Sequence, residues 1–154
     1  MIAFASDQSK LFGDCEIVTR VAAVSSELKQ NKQNWAAGIM MRETLSEGSR
    51  FIALACTNGH GVQSFIRSKT DADVTHQEIC DCTVPYWLKI ARQGDHLLTS
   101  KSSDGVIWIQ IDDITFKMRH AVWVGLFSTS GGPAQIVVDF EHTGAHAIAA
   151  EKSG

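Results

Sequence analysis

Nearly every segment of this chain alternates apolar and polar residues with a period of two. Turn signals break the alternation at roughly 8–12-residue spacing. In "CEIVTRVAAV" (15–24), Ile17, Thr19, Val21 and Ala23 share one side. In "AGIMMRE" (37–43), Ala37, Ile39 and Met41 oppose Met40 and Arg42. "SRFIALACT" (49–57) is apolar on both sides, as a strand covered on both faces would be. The pattern continues through "GVQSFIRS" (61–68), "DVTHQEI" (73–79), "PYWLKIAR" (85–92), "HLLTSKS" (96–102), "GVIWIQI" (105–111), "AVWVGLFSTS" (121–130) and "QIVVDFEHT" (135–143). Asn58-Gly59-His60-Gly61, Gln93-Gly94-Asp95, Asp104-Gly105 and Gly131-Gly132-Pro133 supply turns between them. About ten short strands in this rhythm predict one all-β domain, an antiparallel two-sheet sandwich or a barrel.

Residues 1–143 are expected to form that domain and 144–154 a tail that frays or forms a helical turn. The polar stretch "SSELKQNKQN" (25–34) is expected as a loop. Same-side alternation predicts that Ile39, Met41, Leu88, Ile90, Ile109, Val124 and Leu126 lie between the sheets.

Charge excludes some functions. A net charge of −3 and a pI near 6.0 leave no basic block to neutralise phosphates, so no nucleic-acid partner is expected. No apolar run approaches the ~20 residues that a helical membrane span requires. "MIAFASDQSK" lacks the basic start and apolar stretch of a signal peptide, which suits a cytoplasmic protein or an excised domain of a secreted one.

The cysteines are Cys15, Cys56, Cys80 and Cys82. A zinc site would show a second tight pair, so free, structural thiols are expected and no metal ligand is assigned. Neighbours two apart on a strand diverge from disulfide geometry, and Cys80 and Cys82 are expected unbridged. Asp104-Gly105 reads as a hairpin corner. There glycine supplies positive φ, a Ser or Asp side chain binds nearby backbone N–H groups, and Trp108 packs inward or rests on the hairpin.

Four stretches together carry a resemblance: "WAAGIMMRETLSEGSRFIALACTNGHGV" (35–62), "PYWLKIARQGD" (85–95), "SSDGVIW" (102–108) and "VWVGLFSTS" (122–130). Over roughly residues 12 to 142 the chain resembles a concanavalin A-like (laminin G-like) jelly-roll domain family of unknown function, often attached to secreted glycoside hydrolases. The family has one or two strands before the position of Leu11, and "DADVTHQEICDC" departs from its Gly/Ser-rich stretch. The resemblance implies a jelly-roll sandwich with one flat or convex and one concave sheet. In many such folds the concave sheet or its rim binds glycans. Related folds carry a structural calcium ion at the sheet rim. No Asp/Asn-rich loop here demands one, and no other cofactor is expected.

No catalytic residue is assigned. The E-x-D-x-E spacing that sets two carboxylates on one strand face is missing, as are a G-x-S-x-G elbow and a phosphate loop. The expected function is a non-catalytic, carbohydrate-binding module. Protein–protein interaction or regulation is the alternative, and a glycoside hydrolase-like enzyme the third reading. Glycan recognition uses aromatic faces beside polar groups. Trp87 and Lys89 oppose Tyr86, Leu88 and Ile90, Arg42 opposes Ile39 and Met41, and Arg67 shares a side with Phe65 and Gln63. Trp87, Arg42, Arg67 and Lys89 are therefore the expected ligand platform, provided that these sides share one sheet face. The competing reading places Trp87 in the sandwich and the arginines in surface ion pairs.

Overall fold

In a computed structural model the chain is an antiparallel jelly-roll sandwich of two sheets. The structure describes residues 8–26, 34–80, 82–130 and 136–148. Its strands are β1 (Ser9–Phe12), β2 (Cys15–Ser26), β3 (Trp35–Arg42), β4 (Phe51–Thr57), β5 (Gly61–Arg67), β6 (Thr75–Cys80), β7 (Tyr86–Gln93), β8 (His96–Ser102), β9 (Ile109–Thr115), β10 (Ala121–Ser130) and β11 (Ile136–Ala147). One sheet runs β1-β10-β3-β4-β5-β6 and the other β11-β2-β7-β8-β9. The chain changes sheet after β1, β2, β6, β9 and β10, so each sheet is built from distant stretches of sequence. Of the loop expected at 25–34, Ser25 and Ser26 belong to β2, and 27–33 lie outside the described residues. β11 continues through Ala147, so the first four residues of the expected tail are strand.

Alternation fills the interior. Ile17 and Val21 of β2, paired with Ile90 and Tyr86 of β7, share one core cluster with Leu88 and with Ile39, Met41, Ile52, Leu54, Val62, Val122 and Val124 of the opposite sheet. Of the expected core residues, Ile39, Met41, Leu88, Ile90 and Val124 are fully buried, and Leu126 packs against the core while keeping some exposure. Ile109 corrects the expectation, being 56% exposed. β9 begins only at Ile109, because residues 103–108 form a broad turn, and its register with β8 shifts between Thr99 and Ser100. Ile111 and Ile114 reach the core instead.

Cys80 and Cys82 are also corrected, since a disulfide joins them. β6 stops at Cys80, and the two Cα atoms lie 5.5 Å apart. That separation is shorter than the roughly 6.6–7 Å of two extended residues and lies within the range a disulfide spans. Cys15 and Cys56 are free and buried, and burial raises their thiols to about 11 and about 12.

The hairpin corner is built as expected. Gly105 has φ of +77°, and its N–H donates to Ser102 Oγ at 2.8 Å. Ser102 Oγ donates to the Ile107 carbonyl at 2.7 Å, and Asp104 Oδ1 accepts the N–H groups of Val106 and Ile107 at 2.8 and 3.0 Å. Those bonds, led by the one from Ile107, hold the Asp104 carboxyl below its ordinary pKa.

Candidate binding cleft

The outer face of the six-stranded sheet has an unusual floor. β3 contributes Ala36, Gly38 and Met40, β4 contributes Phe51, Ala53 and Ala55, and β10 contributes Phe127. Ala36, Met40, Phe51, Ala53, Ala55 and Phe127 form a second buried apolar cluster, with Phe65 and Val74 against it. Small residues keep this floor low. At Gly38 a Cβ would lie 2.0 Å from the Leu54 carbonyl oxygen, so no larger residue fits without moving backbone.

Two of the expected platform residues sit at one end of this face. Arg42 donates to the Thr44 and Ser46 carbonyls at 3.2 and 2.6 Å. Arg67 donates to those of Ala72 and Glu47 at 2.8 and 2.5 Å. Both guanidinium groups lie over the Phe51 ring, 5.3 and 5.4 Å from its centre. Arg42 is buried, which together with the neighbouring Arg67 charge lowers its pKa. Here the two arginines tie the β3–β4 and β5–β6 loops to the sheet.

The opposite end of the same face opens into a cleft of about 660 Å³. Asn34, Trp35 and Ala36 line it from the start of β3, and Thr57, Asn58 and His60 from the end of β4 and the turn that follows. Gln63 and Phe65 line it from β5, and Ser128, Thr129 and Ser130 from the end of β10. Thr57 Oγ1 donates to the Gly61 carbonyl at 2.7 Å, and Asn58 N–H to that of Trp35 at 3.2 Å. These bonds fix the turn that carries Asn58 and His60. Beside the cleft, Glu78 of β6 accepts from Gln63 Nε2 at 3.4 Å, and its carboxylate lies 3.2 Å from His60 Nδ1. The described lining thus offers amides, hydroxyls and an imidazole next to the Phe65 ring, while Trp35, at the start of β3, packs against the sandwich core.

Trp87 and Lys89 lie elsewhere, on the outer face of the five-stranded sheet. The single platform of Trp87, Lys89, Arg42 and Arg67 therefore does not form. β7 belongs to one sheet, β3 and β5 to the other, and the outward sides of two packed sheets point apart. Around Trp87 the structure gathers a different set. His142 stacks on the indole with ring centres 5.4 Å apart, and Trp108 meets it edge-on at 6.4 Å. Lys89 Nζ lies 4.1 Å from the centre of the Trp108 ring. Gly105 underlies the indole so closely that a Cβ there would come within 2.7 Å. His142 comes from the β11 edge and Gly105 from the β8–β9 turn, so neighbours crowd Trp87 from both directions.

Sequence reasoning grouped Gln63 with Phe65 on one side of β5 but did not see the cleft. The pattern puts His60 in a turn and gives Asn58, Glu78 and Thr129 no role. The legible signal was the Gln63–Phe65 alternation beside a turn carrying Asn58 and His60. The missing information was that β10, β3, β4 and β5 are neighbours.

Among the described residues, no group of three or more His, Cys, Asp and Glu is placed to hold a metal ion. No described helix is long and apolar enough to cross a membrane. No family model matches the chain, and no curated protein matches it in sequence. Its fold is similar to solved structures. One is a functionally unknown protein from Saccharomyces cerevisiae, 17% identical, with a TM-score of 0.67 over 92% of this chain and 74% of that one. Another is a glycoside hydrolase family protein from Mycobacterium thermorestibile, 8% identical, with a TM-score of 0.56 over 95% of this chain and 75% of that one. A looser likeness, to sheep galectin-11 in complex with glycerol, has 8% identity and a TM-score of 0.49 over 91% and 98% of the two chains. At these identities the likeness is one of fold.

Proposed function

We propose that this protein is a carbohydrate-binding β-sandwich module whose site is the cleft at the β3, β4–β5 and β10 end of the six-stranded sheet. The observation that carries the reading is the composition of its lining. Phe65, on the outward side of β5, offers apolar ring surface, while Asn34, Asn58, Gln63, Thr129 and His60 offer hydrogen-bonding groups around it; Trp35 lines the cleft at the start of β3 and packs against the sandwich core. A sugar presents the matching surfaces, C–H patches on its faces and hydroxyls around its edge. A volume of about 660 Å³ accommodates one or two sugar rings. Hydrolysis of a glycosidic bond would use two carboxylates flanking it. The described lining supplies amides and hydroxyls, with Glu78 beside it, and this favours binding.

The test is a glycan array followed by calorimetry on wild type, Phe65→Ala, Gln63→Ala and Trp87→Ala. Binding should weaken by roughly tenfold or more in the first two variants and stay near wild type in the third. A wild type blank on the array, or binding lost only with Trp87, would overturn the reading. One observation favours protein interaction as the second reading. Val106, Ile107 and Ile109 are 79%, 71% and 56% exposed at a corner held by hydrogen bonds.

A further inference from the structure

Glu78 is bonded to two groups that line the cleft, and a carboxylate can only accept hydrogen bonds. That dictates what those groups show on their other side. The Gln63 atom turned toward Glu78 must be the amide nitrogen, so its carbonyl oxygen is directed away. β6 bounds the cleft on one side, and β4, β3 and β10 follow in order from β5. An amide whose nitrogen faces β6 therefore turns its oxygen toward the cleft. Gln63 is 9% exposed, with its amide nitrogen held by Glu78. The same logic holds for His60. His60 Nδ1 lies 3.2 Å from the Glu78 carboxylate, and a ring carrying its one proton on Nδ1 has Nε2 as an acceptor on the far side.

We propose that Glu78 is a positioning residue that turns Gln63 Oε1 and His60 Nε2 into paired acceptors. The cleft then selects neutral sugars through hydroxyl groups that donate to it. This rests on the carbohydrate reading and adds the chemical class of the ligand. Neutral sugars are favoured because both acceptors, and the Glu78 charge behind them, repel a carboxylate or sulfate. No described residue lining the cleft is Lys or Arg.

The experiment has two arms. The first needs no ligand. Long-range nitrogen–proton spectra at about pH 8 should show the Nδ1–H tautomer at His60 in wild type and a shift toward Nε2–H in Glu78→Ala, which offers Nδ1–H no acceptor. An Nε2–H tautomer in wild type would overturn the proposal. The second arm titrates methyl glucoside, methyl galactoside and methyl mannoside, their mono-O-methyl ethers and the matching hexuronates, followed by chemical shift. The best neutral sugar should lose roughly tenfold in affinity when its contacting hydroxyl is methylated, because a methoxy group cannot donate. It should also outbind its uronate, and Glu78→Gln should narrow that ratio. An equal loss for neutral and acidic sugars in Glu78→Gln would reduce Glu78 to a structural role and overturn the proposal. If wild type binds none of the probes, the carbohydrate reading and the ligand class fall together. The His60 tautomer then still decides the positioning role.

Discussion

Outward from the six-stranded sheet, Met40, Ala53, Ala55 and Phe127 are fully buried, and a polar-lined cleft opens beside them. Outward from the five-stranded sheet lie the Arg20–Glu141 ion pair, the His96–Asp113 pair and a cluster of Trp87, Trp108 and His142. Both faces alternate with the same interior, yet one behaves as a second core and the other as a solvated surface. The residues on the outward positions account for this. Small side chains at Ala36, Gly38, Ala53 and Ala55 leave room for Met40, Phe51 and Phe127 to pack together. On the other sheet, bulky rings and charges fill the same positions and reach solvent. A face with a low floor and a polar rim can receive a ligand, while a face crowded by its own aromatic rings is already occupied.

The comparison can be broken by substitutions on each side. Phe127→Ala on the six-stranded sheet should cost about 3–5 kcal/mol in urea unfolding, the usual range for emptying a buried phenylalanine site. A loss below about 1 kcal/mol would place that face on the same footing as ordinary surface. Gly105→Ala comes next, at about 1–3 kcal/mol, because alanine there must hold positive φ and meet the Trp87 indole. In a Trp87→Ala background only the backbone part, about 1 kcal/mol, should remain. Equal costs in both backgrounds would mean that the indole does not rest on the turn.

Acid sharpens the picture at the same corner. Hydrogen bonds from Ile107 and Val106 lower the pKa of Asp104 from its ordinary value of 3.8. Its contribution to stability is therefore fully present above that value and is lost as pH falls through the lower folded pKa. Thermal melts of wild type and Asp104→Asn should differ at neutral pH and converge as pH falls through the lowered folded pKa. A constant gap would show that the charge is not what holds the turn. The smallest effect belongs to Glu141→Gln. Its partner Arg20 lies 2.5 Å away, but the Glu141 side chain is half exposed and that of Arg20 keeps 28% of its surface in solvent. A change under about 1 kcal/mol, shrinking further in salt, is expected. A larger loss would mean that this face is more rigid than its exposure implies.

Much of the fold was legible because side-chain alternation is local. Ile39, Met41, Leu88 and Ile90 could be assigned to an interior from four or five neighbouring letters. Ile109 failed that rule. The turn after Ser102 runs longer than the Asp104-Gly105 pair alone suggests, and β9 starts late with a shifted register. The Cys80–Cys82 disulfide failed it too, because the strand ends at Cys80 and extended geometry no longer applies. The cleft was barely legible. Its lining comes from β3, β4, β5 and β10, up to 96 residues apart between Asn34 and Ser130.

By itself the sequence determined the all-β class, the strand spacing, the locked corner at Ser102–Ile107 and which side of most strands faces inward. Each of these follows from period-two sterics and turn chemistry acting over a few residues. Only the tertiary structure decided which sheet each strand joins, and so which outward sides share a face. That choice separated Arg42 and Arg67 from Trp87 and Lys89, and it set Glu78 beside Gln63 and His60. The physical reason is that strand pairing is a non-local contact. A strand's alternation shows that it has an inner side, but the partner across the hydrogen bonds comes from a distant stretch of chain.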